Sequence, residues 1–136
     1  MSRFRAYVGI AAGILLVASS GAHSLLGWPQ LAARLVSANA PDDLIHGLAI
    51  GWHFGGVAML AFGCIAISAF AARLRGRAVP PGPVLCIAVA HGLFGAVAMV
   101  DAGFDPFFLI FIVPAGMLLF AAGSGRRESE SGAMRP

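Results

Sequence analysis

Four histidines, at positions 23, 46, 53 and 91, and an aspartate at position 101 are the residues whose chemistry most needs explaining. All five stand in or beside long apolar stretches, where an ionisable group is costly and requires a partner or a purpose. The stretch from 45 to 72, IHGLAIGWHFGGVAMLAFGCIAISAFAA, holds His46 and His53 and no Asp, Glu, Lys or Arg. Seven residues make nearly two helical turns, so these two imidazoles share one helix face. Neutral imidazoles joined by a carboxylate accept zinc, copper, nickel or ferrous iron. A His–Asp pair also tunes a proton acceptor.

Height along the helices indicates which of these groups could meet. With helix centres near residues 15, 59 and 93, a rise of ~1.5 Å per residue sets His23 about 12 Å, His53 about 9 Å and Asp101 about 12 Å toward the same surface. His23, His53 and Asp101 are therefore a candidate metal or proton layer, with His46 nearer the surface. No HxxxH or HExxH spacing defines its geometry. The blander reading makes His23 and His53 structural, hydrogen-bonded to Ser19, Ser20, Asp101 or backbone carbonyls near the wet interface. His91 falls close to the midplane. A bis-histidine haem would need a second histidine at that depth, and His53 sits about 12 Å higher. Among cofactors a transition metal is thus favoured over haem. Trp28 and Trp52 suit an interfacial aromatic belt better than a substrate platform.

The elements that must carry these groups are membrane helices. Of the 136 residues, 59% are hydrophobic and 11% charged, too few charges to clothe a water-soluble fold. Apolar segments run at about 4–27, 45–72, 84–104 and 106–122, and ~20 residues suffice to cross a ~30 Å hydrocarbon core. The predicted fold is all-α, an integral membrane four-helix bundle over residues 1–122. The polar tail 123–136 reads as disordered and cytoplasmic. The first apolar run also resembles a cleavable secretory signal in outline. It is longer than a usual signal core, so an uncleaved span is expected.

Punctuation between the spans is clear. Gly27-Trp28-Pro29 is expected to end the first helix, because proline cannot continue the hydrogen-bond ladder. Residues 29–38 read either as a short interfacial helix or as a loop. Asn39 to Asp43 supplies a capping candidate, an early proline and two acids for the next helix N-terminus. The segment 78–83, with three prolines, is a connector. Asp105-Pro106 restarts a helix, and Pro114 predicts a kink in the fourth span.

All nine basic residues are arginines. With four spans, Arg3, Arg5, Arg73, Arg75, Arg77, Arg126, Arg127 and Arg135 fall on one side and Arg34 alone on the other. The positive-inside rule then places both termini in the cytoplasm. The opposite face carries Asp42, Asp43, Asp101 and Asp105. Arginines in short clusters between apolar segments set orientation and give no nucleic-acid groove.

Lipid tails are as apolar as leucine, so helix association needs close approach through small residues. Gly9 and Gly13, then Gly47, Gly51 and Gly55, and finally Gly92 between Ala88 and Ala96 form three such seams. They suit one bundle or a homo-oligomer equally. Cys64 and Cys86 lie in apolar stretches without a CxxC partner and read as small core residues. This counts against quinone-linked thiol oxidoreductases and mercury-type importers. The first span lacks the deep carboxylate of a small multidrug exporter.

The stretches GAHSLLGW (Gly21 to Trp28) and WHFGG (Trp52 to Gly56), with the four short spans over residues 4–122, resemble small bacterial four-helix integral membrane proteins of uncharacterised function. The resemblance implies a multi-pass protein of the bacterial inner membrane and carries over no functional residue. The expected function is a structural, accessory or subunit role, with the lipid bilayer and a homo-oligomer or larger membrane complex as partners. The competing reading is a metal, proton or small-molecule site of an enzyme, redox protein or transporter, built on His23, His53 and Asp101.

Overall fold

The first helix begins where the side chain of Ser2 accepts from the Arg5 amide, satisfying one of the unpaired N–H groups of a helix start. The computed structural model describes residues 2–123, and every regular element among them is helical. Helix α1 (Arg3–Gly21) passes through a π-helical turn (Ala22–Gly27) directly into α2 (Trp28–Ser37). Helix α3 (Asp42–Leu74) follows, then α4 (Gly82–Asp101). A 3₁₀ turn (Pro106–Phe108) leads into α5 (Leu109–Ala122). The stretches 3–37, 42–74 and 82–101 are each long and apolar enough to cross a membrane, and 106–122 is a shorter apolar helix.

Neighbouring helices run antiparallel, as their contacts establish. Gly9 lies under the Phe70 ring and Gly13 meets Gly63, joining α1 to α3 in opposite senses. Gly95 abuts Phe111 and Ile112, which does the same for α4 and α5. The Arg5 guanidinium sits 4.8 Å from the Phe120 ring centroid, joining the start of α1 to the end of α5. Arg3, Arg5 and the Arg73–Arg77 loop consequently share one end of the molecule. Asp42, Asp43, Asp101 and Asp105 share the other.

The core lies toward the arginine end. Leu16, Phe70, Val84 and Leu118, one from each of α1, α3, α4 and α5, are the largest fully buried side chains. Each gains dispersion contacts that lipid tails would supply less completely, because a packed interior is denser than a fluid. At the opposite end the first helix stays on α3, while α4 leans chiefly on α5.

Several expectations change here. Proline at 29 does not end the first helix. The π turn shifts the hydrogen-bond register, the Trp28 amide donating to the His23 carbonyl five residues back, and the chain stays helical past Pro29 to Ser37. Asn39 is not the cap of α3. With φ 55° it closes α2, its amide bonded to the Val36 carbonyl and that of Ala40 to Leu35. Helix α3 starts at Asp42, three residues before the apolar run, with Asp42 and Asp43 in its first turn. Helix α4, the third expected span, stops at Asp101, short of Phe104. Asp105 does cap the restart, its Oδ1 accepting from the Phe107 amide at 2.8 Å. Helix α5 runs through the buried Pro114.

The cysteines are free and exposed instead of in the core. In a helix apolar all round, composition does not distinguish an inward face from an outward one. The glycine seam also moves. Gly47 and Gly51 have nothing within 4 Å of where a Cβ would stand, whereas Gly56 and Gly63 meet α1 and its π turn. The tail beyond Gly123, with Arg126, Arg127 and Arg135, lies outside the described residues.

Candidate functional site

Pro29 accounts for the geometry of the site. In an α-helix its ring would press on the carbonyl four residues back. Adding one residue to the turn over Ala22–Gly27 relieves that clash, and π turns of this kind recur at functional sites. The wider turn brings His23, Ser24 and Gly27 against α3 at Trp52, Gly55 and Gly56.

Each side supplies sockets for the other. A Cβ on Gly56 would collide with Ser24 Oγ. One on Gly55 would stand 3.4 Å from His23 Nε2, and one on Gly27 would come within 2.9 Å of the Trp52 ring. Into these gaps fit two stacked rings, His23 and Trp52, with centroids 4.3 Å apart and planes 3° from parallel.

Two hydrogen bonds cross the same contact. His23 Nε2 donates to the Trp52 carbonyl at 3.0 Å. Trp52 Nε1 donates to the His23 carbonyl at 2.7 Å. The carbonyl can only accept, so His23 Nε2 carries the proton and offers no lone pair to a metal. One turn earlier, Ser20 Oγ donates to the Gly56 carbonyl at 2.7 Å in a buried position. Trp28 completes the cluster, its ring 6.3 Å from that of Trp52 and 5.8 Å from that of His53.

No family model, curated protein or solved structure matches this chain.

The candidate metal layer is not gathered into one place. Among the described residues no three His, Cys, Asp or Glu side chains lie where they could share a metal ion. His23 is engaged by Trp52. His53 is exposed beside Trp28, and His46 is exposed further toward the start of α3. Asp101 is exposed at the end of α4, whose main partner is α5 and not α1. Equal height along parallel axes does not imply lateral contact, and helix neighbours decide which groups meet.

His91 has a different setting. It is buried, with Phe62 of α3 at 5.7 Å and Phe111 of α5 at 6.2 Å between ring centroids. Gly92 packs beside it, 3.4 Å from the Ala115 methyl when given a Cβ. Spacing alone marked neither Trp52 as the partner of His23 nor Gly56, Gly63 and Gly95 as contact glycines. The signal for the first pair was present in the two quoted stretches, each combining a histidine, a tryptophan and glycines.

Proposed function

We propose that this chain is a multi-pass protein of the bacterial inner membrane, a four-helix bundle with both termini in the cytoplasm, and that it serves as a structural or accessory subunit. The observation that carries the reading is the reciprocal His23–Trp52 pair. Each ring N–H is spent on the other residue's backbone carbonyl, so His23 of the π turn and Trp52 of α3 fasten the two helices together. Hydrogen bonds between membrane helices contribute about 0.6–2 kcal/mol each, enough to fix a register.

The segregation of charge supports the topology. Arg3, Arg5, Arg73, Arg75 and Arg77 stand at the end where α1 and α4 begin and α3 ends, as the positive-inside rule asks of a cytoplasmic face. The fourth helix, 106–122, spans about 25 Å at the α-helical rise. Local bilayer thinning accommodates a helix slightly shorter than the ~30 Å core.

Two measurements test this reading. Metal content of the purified protein, by mass spectrometry, should be equal and far below stoichiometric in the wild type, His23→Ala and His53→Ala. A stoichiometric metal that disappears in either variant would overturn it in favour of a metal site. Native electrophoresis of gently solubilised membranes should show the chain in an assembly larger than a monomer. Migration as a lone monomer would remove the subunit role.

A further inference from the structure

We propose that the groove between α3 and α4 holds an anionic phospholipid, its acyl chain along the groove and its phosphate between Arg75 and Arg77. This rests on the reading that the chain is embedded in a bilayer with its arginine end at the headgroups.

The groove has a volume of about 460 Å³ and opens to the side of the bundle. That is within the ~300–1,000 Å³ range of small-molecule sites. Cys64, Ser68 and Ala72 line it from α3, and Val79, Pro83 and Val84 from the chain that follows. The loop from Arg73 to Ala78 joins Ala72 on one wall to Val79 on the other, so it lies beside one end of the groove. Short side chains on α3 leave room for an alkyl chain, and the wall offers little polarity beyond the Ser68 hydroxyl and the Cys64 thiol.

The chain beside that end is strongly cationic. Residues 73–85 include three arginines and no acid. Arg73 is committed to the protein, its Nη2 donating to the Val79 carbonyl at 3.1 Å and its guanidinium 5.1 Å from the Phe70 ring centroid. This anchor ties the loop back over the groove, helped by a tight turn at Gly76, whose φ of 77° suits glycine. Arg75 and Arg77 remain exposed on that loop. Helix α4 starts at the same mouth, and the positive end of its dipole adds to the attraction for an anion. Basic pockets between membrane helices on the cytoplasmic side favour anionic headgroups. A zwitterionic lipid would bring its own cation against the arginines and gain less.

The test is native mass spectrometry of the full chain in detergent, titrated with phosphatidylglycerol or with phosphatidylcholine of the same acyl chains. The wild type should bind phosphatidylglycerol about ten-fold more tightly. The double variant Arg75→Gln/Arg77→Gln should reduce that preference to about two-fold or less. Ala72→Leu, which fills the groove, should weaken both lipids while leaving the preference. Equal binding of the two lipids by the wild type would overturn the proposal, as would a preference that survives the arginine changes. Undiminished binding by Ala72→Leu would overturn the groove as the site. A chain that stays monodisperse in water without detergent would instead refute the membrane reading beneath it. Melting curves confirm that each variant is folded.

Discussion

His23 and Trp52 each donate a hydrogen bond to the other's main-chain carbonyl while their rings stack at 4.3 Å. His23 stands in the first part of the π turn, and Trp28, at its end, packs against the same Trp52 ring. The pair thus links a local backbone irregularity to the packing of two long helices. Its two bonds and its stacking should be cooperative, since forming one orders the groups that make the others.

That cooperativity is measurable by a double-mutant cycle. His23→Ala and Trp52→Phe should each lower stability in detergent by about 1–2 kcal/mol. The double variant should lose about 1 kcal/mol less than the sum. Strict additivity would show that the two residues act independently.

Gly63 and Gly51 lie on the same helix but should respond oppositely. A Cβ on Gly63 would stand 2.7 Å from the Gly13 carbonyl oxygen, whereas one on Gly51 meets nothing within 4 Å. Gly63→Leu should therefore destabilise the fold by about 1–3 kcal/mol or more. Gly51→Leu should remain within about 0.5 kcal/mol of wild type by the same thermal assay. A large loss at Gly51 would identify that face as a contact between copies of the chain.

Removing one residue from the π turn tests whether the extra residue matters. Leu25 is 75% exposed, so its deletion removes no buried contact. The deletion should restore α-helical register and rotate everything after it by about 100°. Trp28 would swing away from Trp52 and His53. The expected readout is a lower melting temperature and a red shift in tryptophan emission; an unchanged spectrum would mean the cluster does not depend on the bulge.

His91 separates a packing role from a polar one. His91→Ala should cost about 2–4 kcal/mol by opening a cavity between Phe62 and Phe111. His91→Leu, close in volume, should cost less than about 1.5 kcal/mol. Equal losses in the two variants would assign the stability to the polar imidazole instead of its volume.

Topology is open to direct reporting. A reporter inserted after Gly76 should read as cytoplasmic and one after Asn39 as extracytoplasmic, since these two turns lie at opposite ends of α3. The reverse pattern would invert the proposed orientation, and matching signals would refute the crossing of α3.

Hydropathy and charge order were enough to read four apolar helices and the end that gathers the arginines, because long uncharged apolar runs punctuated by short polar segments leave few alternatives to a helix. Asp105-Pro106 likewise announced its helix start, as capping is a matter of three or four neighbouring residues. Pro29 did not behave as a terminator, because a helix supported by α3 can widen one turn where an isolated helix would end. Asn39 showed the same ambiguity, since a polar residue between two helices can close the first or open the second.

Which histidine meets which partner belonged to the tertiary structure alone. Sequence positions determine heights along each axis, so His23, His53 and Asp101 share a level; they do not determine azimuth or neighbour. The α1–α3 and α4–α5 pairings turned His23 onto Trp52 and left Asp101 exposed, and the packing of α4 between α3 and α5 buried His91 between two phenylalanines. In a helix apolar on every side, the hydrophobic pattern specifies no inward face, and only contact between whole helices can choose one.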